Sequence, residues 1–420
     1  MRKGYRTGLL LALGALALAG CAKHADTSAP AQTPYDPFVG KSFPLTPAVI
    51  AMRWQLLNPD VESFAFRDMD RVFESRSVPR SGAVWDLPKQ DGFTMPKDMA
   101  GGQSYDYAQF AERTYTNAFL VIRHGKVVFE DYRNRSVPTT RFLSMSMAKT
   151  ITSLLVGIAL NEHKIASLDD PAEKYVPELK GSGYEGVTIR QILQMRSGID
   201  YEERYDFGKN PSFAGKLHEQ AIVLNKMRFA AGALETKRKE APGSKFNYST
   251  LNTMVLGWIL ENATGEKLED YTREKLWAPL GAQADAYWIA DGPPGVGRAL
   301  NGMGFNATLR DFGRLGLMML RQGKAGDAQI VPADWIKQAT AMLPTGAPKN
   351  EGGFPGYGYQ IWQVDDEPGA YAAVGLAGQY IYVSPATDTV IVKLSYFPMA
   401  APPSVEAETV AYFKAVAHAQ

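Results

Sequence analysis

Strand-like sequence stands toward both ends of this chain with a long helical interval between, and that order constrains the fold more than any other feature. Ala118-Phe-Leu-Val-Ile122 and Val127-Val-Phe-Glu-Asp-Tyr132 flank Arg123-His-Gly-Lys126, two apolar runs around a glycine turn that predict a β-hairpin. Far downstream, 357–362, 378–383 and 389–395 read as three more strands, joined by turns that include Ser384-Pro-Ala-Thr-Asp388. A helix over about 404–418 follows Pro402-Pro403. The hairpin is therefore expected to pair with the C-terminal strands in one antiparallel sheet.

Between about 165 and 300 the signals turn helical. Ser167-Leu-Asp-Asp-Pro171 offers helix-start residues, and Thr188-Ile-Arg-Gln191 is a capping box ahead of Ile192, Leu193 and Met195. Further helices are predicted over 250–263 and 267–277, stopped at Gly265 and before Pro279-Leu-Gly281. Thr308-Leu-Arg-Asp311 caps another, carrying Leu315, Leu317, Met318 and Leu320 and ending near Gly323. The expected fold class is α/β in the α+β sense: a central antiparallel sheet flanked by helices, with an inserted all-helical subdomain. The boundaries are 112–164 and 301–420 for the sheet subdomain and 165–300 for the helical one, behind an irregular wrap over 48–111 with no chemistry of its own. With 420 residues, 45% of them hydrophobic, the chain can bury a large core.

The N-terminus reads as an export signal. Arg2, Lys3 and Arg6 precede an apolar run from Leu9 to Ala19, too short for a membrane span, that ends in Leu18-Ala19-Gly20-Cys21. That ending resembles a bacterial lipobox, which implies a signal peptide over 1–21, a lipid on Cys21 and a flexible Ala/Pro/Thr/Ser tether over 22–47. Ala22 stands where an aspartate would mark inner-membrane retention, so the expected location is the outer membrane, facing the periplasm. Cys21 is the single cysteine, so once it is lipidated no disulfide or thiol chemistry remains.

Several function classes are excluded. A net charge of +1 with no basic run gives no electrostatic case for nucleic acid, and small or neutral partners are expected. No His-Glu-x-x-His or cysteine cluster suggests a metal, and Gly302-Met-Gly304 lacks the strand and lysine of a phosphate loop, so no cofactor is expected. No Gly-x-Ser-x-Gly elbow supports a histidine-based triad. Asp365, Asp366 and Glu367, ahead of Pro368-Gly369, read as a solvated turn.

One stretch carries chemistry. Phe142-Leu-Ser-Met-Ser146-Met-Ala-Lys149 runs into a segment apolar at Ile151, Leu154, Leu155 and Ile158, which predicts a buried helix over 146–160. Ser146 then lies in its first turn, with Lys149 one turn on and on the same face. A serine hydroxyl needs a neighbouring proton acceptor, and a lysine serves only if burial and positive potential lower its pKa. The helix N-terminus supplies such a potential, and a backbone N–H for an oxyanion.

Downstream phrases follow in order: Gln194-Met-Arg-Ser-Gly-Ile199, Pro242-Gly-Ser-Lys-Phe-Asn-Tyr248-Ser and Gly375-Leu-Ala-Gly-Gln379. Together with Ser146-Met-Ala-Lys149 they make the chain, over roughly residues 112 to 400, resemble the penicillin-recognising serine hydrolases. That superfamily includes class C β-lactamases, D-alanyl-D-alanine peptidases, β-lactamase-like esterases and 6-aminohexanoate-dimer hydrolases. The resemblance implies a β-lactamase/transpeptidase-like fold and an acyl-enzyme on Ser146. It also implies that Lys149 and Tyr248 form the base pair, leaving open which takes the serine proton. An oxyanion hole is implied from the N–H groups of Ser146 and Leu376, with Tyr205, Gly375 and Gln379 as substrate-binding candidates.

Two departures matter. No Lys-Thr-Gly or His-Thr-Gly fills the third motif, so the side chain that would hold a substrate carboxylate is missing. Tyr248-Ser-Thr250 also replaces Tyr-x-Asn, which removes an amide. Both lean away from β-lactams and toward small-molecule esters or amides. The rival readings are a penicillin-binding or cell-wall sensor lipoprotein that does not turn over, and a D-alanyl-D-alanine carboxypeptidase or β-lactamase. Oligomeric state cannot be read from these residues.

Overall fold

The computed structural model describes residues 45–347 and 353–420; the signal peptide, Cys21 and nearly all of the tether lie outside the described residues. The hairpin forms from Thr116–Arg123 and Lys126–Tyr132, turning through His124 and Gly125 in left-handed backbone. Thr116–Arg123 pairs antiparallel with Thr389–Ser395, which pairs with Gln379–Ser384 and through it with Tyr371–Gly375. Three two-residue strands, Trp362–Gln363, Gly356–Tyr357 and Leu343–Pro344, extend the sheet to eight.

Both faces of this sheet are covered, so its central strands are apolar on each side. Along Thr116–Arg123, Phe119 meets Phe413 of the C-terminal helix Pro403–Ala417, with ring centroids 6.2 Å apart. Its neighbour Leu120 faces the opposite helix, Leu309–Leu320, where a Cβ on Gly313 would come within 2.6 Å of it. Gly316 does the same against Val390 and Ile381, so two glycines one turn apart let that helix lie close on the sheet. Thr308 caps it, accepting from the N–H of Asp311.

The predicted helix over 146–160 is Met147–Asn161, buried along almost its whole length between the sheet and the helix Thr250–Thr264. Gly265 ends the latter in left-handed backbone, and the Thr188–Gln191 capping box opens Ile189–Leu193.

Three expectations need correction. The interval 165–300 is not all helical: Ala286–Ala290 is a strand in a second sheet of four, ordered Glu74–Val78, Ala286–Ala290, Phe305–Thr308, Arg141–Leu143. The wrap over 48–111 thus contributes a strand to the core. Residues 357–362 do not run as one strand, because Gln360 takes φ 61° and is buried among helices. Its carbonyl accepts from Thr150, its Oε1 from Thr253, and its Nε2 donates to Leu193 O. Finally, the acidic turn is not simply solvated: Glu367 is buried and accepts from Ser384, with His418 Nε2 at 3.0 Å from it.

Candidate active site

Ser146 stands at the N-cap of its helix but makes no capping hydrogen bond, so its hydroxyl is available. Met145, just before it, has φ 44°, a left-handed conformation uncommon for a side-chain-bearing residue that turns the chain abruptly into the helix. The turn is anchored by Ser144 N–H on Phe305 O at 2.8 Å. A Cβ on Gly375 would come within 2.4 Å of Ser144 O, so only glycine lets the end of Tyr371–Gly375 reach the nucleophile's turn.

Lys149 is fully buried. Its Nζ lies 3.0 Å from Ser146 Oγ, 3.0 Å from Thr250 Oγ1 and 2.8 Å from Gly302 O. Thr250 Oγ1 donates in turn to Glu203 Oε1 at 3.0 Å, and Thr250 N–H donates to Glu203 Oε2 at 2.6 Å. A neutral amine has two N–H groups and one lone pair. Gly302 O can only accept, and Thr250 has committed its proton to Glu203, so these two take the N–H groups. The lone pair of neutral Lys149 is left facing Ser146 Oγ–H, as a proton acceptor requires. Burial lowers the Lys149 pKa to about 8, and the negative charge of Glu203 opposes part of that fall.

Tyr248 lies across the serine. It shares the cleft wall with Ser146, and Lys149 Nζ sits 5.0 Å from its ring centroid. Its hydroxyl is pushed well above the usual phenol range by burial, with Ser146 pulling the other way and Glu203 adding to the rise. A phenol so placed keeps its proton. It suits relaying a proton better than removing one, so the question the sequence left open falls toward Lys149 as the acceptor. Trp362, 5.3 Å away and tilted 30°, walls the ring. Met195 buttresses the segment from below: its carbonyl accepts from Asn247 N–H at 2.7 Å and its sulfur from Ser249 N–H at 3.4 Å.

Ser146, Tyr205, Tyr248, Gly375 and Leu376 line one cleft of about 430 Å³. Tyr205 donates to Glu203 Oε1 at 3.2 Å, so it belongs to the same network. Gln379 does not face the cleft. Its Nε2 donates to Ser395 O at 2.8 Å and to Ala377 O at 3.1 Å, and its Oε1 accepts from Ser395 N–H, so the side chain clamps the turn that carries Leu376. The expectation of substrate contact from Gln379 is corrected to turn support. Cys21 lies outside the described residues.

Four contributors were not read from the sequence as part of the site: Glu203 and His218, and also Thr250 and Gly302, which were noted there only as a departure from a motif and as a rejected phosphate loop. Buried His218 places Nε2 3.7 Å from Glu203 Oε1 and stacks edge-on against Tyr205 at 5.1 Å. Its Nδ1 sits 2.8 Å from Ala214 O, a partner that can only accept, so Nδ1 carries the proton. Burial lowers its pKa, against the pull of Glu203. Glu203 stands two residues before Tyr205, but nothing in the sequence connects it with Thr250. The loss of an asparagine at 250 turns out to place a hydroxyl between the lysine and a carboxylate. Among the described residues no cluster of metal-ligating side chains occurs.

The Beta-lactamase family matches residues 107–408. The 6-aminohexanoate-dimer hydrolase of Paenarthrobacter ureafaciens is 37% identical over 306 residues, covering 70% of this chain and 76% of that protein. Teichoic acid D-alanine hydrolase of Staphylococcus aureus is 26% identical over 231 residues, 54% of this chain and 52% of its own length. Among solved structures, one from Bacillus anthracis, provisionally assigned as a 6-aminohexanoate-dimer hydrolase, superposes with a TM-score of 0.77 at 22% identity. It covers 86% of this chain and 95% of its own. A penicillin-binding protein from Bacillus halodurans gives 0.58 at 16% identity, over 74% and 99%.

Proposed function

Since the chain belongs to the Beta-lactamase family of serine hydrolases, we propose that it cleaves linear amides and esters of small molecules through an acyl-enzyme on Ser146. The observation that carries this reading is the uncapped Ser146 hydroxyl 3.0 Å from a buried Lys149 whose lone pair has nowhere else to point. Neutral Lys149 takes the serine proton as Oγ bonds to the substrate carbonyl. The N–H groups of Ser146 and Leu376 are assigned the resulting oxyanion; removing one such donor costs about 3 kcal/mol in the transition state. Tyr248 hands a proton to the leaving nitrogen or oxygen, the C–N or C–O bond breaks, and amine or alcohol departs; the Lys149 ammonium then returns its proton to Tyr248, so that both are reset before water enters. Water then gives a proton to Lys149 and attacks the acyl carbon. Ser146 leaves with its proton restored, and the acid is released.

The preference for linear amides and esters over β-lactams rests on two supports. No cationic side chain follows Tyr371–Gly375 to hold a β-lactam carboxylate, and the named relative at 37% identity is an amide hydrolase. Anchoring through a lipid on Cys21, at the outer membrane and facing the periplasm, is part of the same proposal and is supported by Leu18-Ala19-Gly20-Cys21.

The test is a panel of p-nitrophenyl acetate, a short uncharged linear amide and nitrocefin, with Ser146→Ala alongside. Turnover of the ester and the amide, lost in the mutant, with nitrocefin slow, is expected. Nitrocefin turned over fastest would make the protein a β-lactamase. A stable adduct with no turnover would make it a sensor.

A further inference from the structure

Ser146 sits between two spaces of different character. The cleft described above is wide and carries Glu203, Glu406 and Tyr248. On its other side lies a narrow pocket of about 110 Å³, walled by Leu57, Met69, Phe73, Leu143, Ile289 and Met303. Half of these walls come from residues before 107, the stretch that sequence reading expected to be chemically idle and that the family match does not reach. Two basic side chains border the pocket. Arg53 is spent on backbone, its Nε and Nη2 donating to Val72 O at 3.1 and 2.9 Å and its Nη1 to Ile222 O at 3.1 Å. His218 is held as the Nδ1–H tautomer by Ala214 O. Neither offers a free charge to a ligand. At the solvent end, half-exposed Trp54 and Phe207 meet edge to face at 5.5 Å.

We propose that this pocket receives the acyl chain of the substrate, that the chain it selects is about four carbons long and carries no carboxylate, and that the Trp54–Phe207 pair sets the length limit. The inference rests on the serine-hydrolase reading above. The assignment of sides follows from proton delivery: the leaving group must reach the group that protonates it, and Tyr248 lines the polar cleft, whereas the apolar pocket lacks it. The acyl half is therefore left with the apolar side. Size follows from volume, since an apolar cavity of about 150 Å³ holds a benzene-sized guest, so this one takes roughly four carbons. A chain ending in carboxylate would be desolvated there beside no free cation, which excludes it.

The experiment holds the leaving group constant as p-nitrophenolate and lengthens the acyl chain from acetyl to decanoyl. It then holds the acyl group at acetyl and lengthens the alcohol. Wild-type, Trp54→Ala and Ser146→Ala proteins are compared, with fluorophosphonate labelling of each. Each methylene entering the pocket is expected to raise kcat/KM about fourfold, up to about four carbons, with a fall beyond. The alcohol series is expected to be nearly flat, and Trp54→Ala to move the optimum to longer chains. A flat acyl profile with a steep alcohol profile overturns the assignment, and so does a cutoff that Trp54→Ala leaves in place. If no ester turns over and Ser146 takes no label, the hydrolase reading fails and the pocket assignment falls with it. Labelling with turnover but no chain-length selection fails the pocket assignment alone.

Discussion

At the scale of single residues, the account turns on which group holds which proton. Lys149 must be neutral to accept from Ser146, and burial places its pKa at about 8. Activity should therefore rise with pH through about 8, as a pH profile of kcat/KM will show. The charge of Glu203 favours the ammonium and raises that pKa, so Glu203→Gln should move the inflection to lower pH; an unmoved inflection would mean that Lys149 is not the titrating base. Tyr248→Phe should split the substrates. An amide nitrogen must be protonated to leave and should lose about 10²- to 10⁴-fold, whereas p-nitrophenolate leaves without help and should lose far less. The Ser146, Lys149 and Tyr248 positions were legible because each sits in a short motif at helix or turn spacing. Glu203, Thr250 and Gly302 were not, because they meet Lys149 only after distant segments fold together.

At the scale of elements, close approach by glycines decides geometry. Gly157 lets the nucleophile's helix press on Trp335: a Cβ there would fall 2.3 Å from the indole. Gly157→Ala should cost about 1–3 kcal/mol of stability in urea titration. Gly375→Ala acts elsewhere. Its Cβ would meet the carbonyl of Ser144, so the strand end carrying Leu376 must retreat from the nucleophile. Losing one oxyanion donor in this way should cut kcat about 10²- to 10³-fold, more than any loss of fold would account for. Helices with sustained apolar spacing were readable, as were the hairpin and its C-terminal partners. Tyr371–Gly375 and Ala286–Ala290 were not, because both are short, buried along their length and free of alternation. Only their pairing partners identify them as strands: Gln379–Ser384 across a tight turn for the first, and the distant Glu74–Val78 for the second.

At the scale of the whole molecule, the two ends of the described chain close the structure. Phe413, fully buried in the C-terminal helix, contacts Phe119, Tyr380 and Tyr382 on the sheet, and Tyr412 stacks on Phe110 at 3.9 Å. Phe413→Ala should cost about 3–5 kcal/mol, read as a lowered urea midpoint at unchanged slope. The sequence order of strands implied this closure correctly, while the four-stranded sheet that joins 74–78 to 286–290 stayed hidden, its first strand in an irregular wrap and its second in an interval read as helical. The most direct test of the central claim is the intact mass of the protein from about residue 45 after incubation with a fluorophosphonate, beside Ser146→Ala. One adduct, absent from the mutant and slowed by Lys149→Ala, is the result this account predicts. No adduct, or equal labelling of the mutant, would contradict it by removing Ser146 from the chemistry.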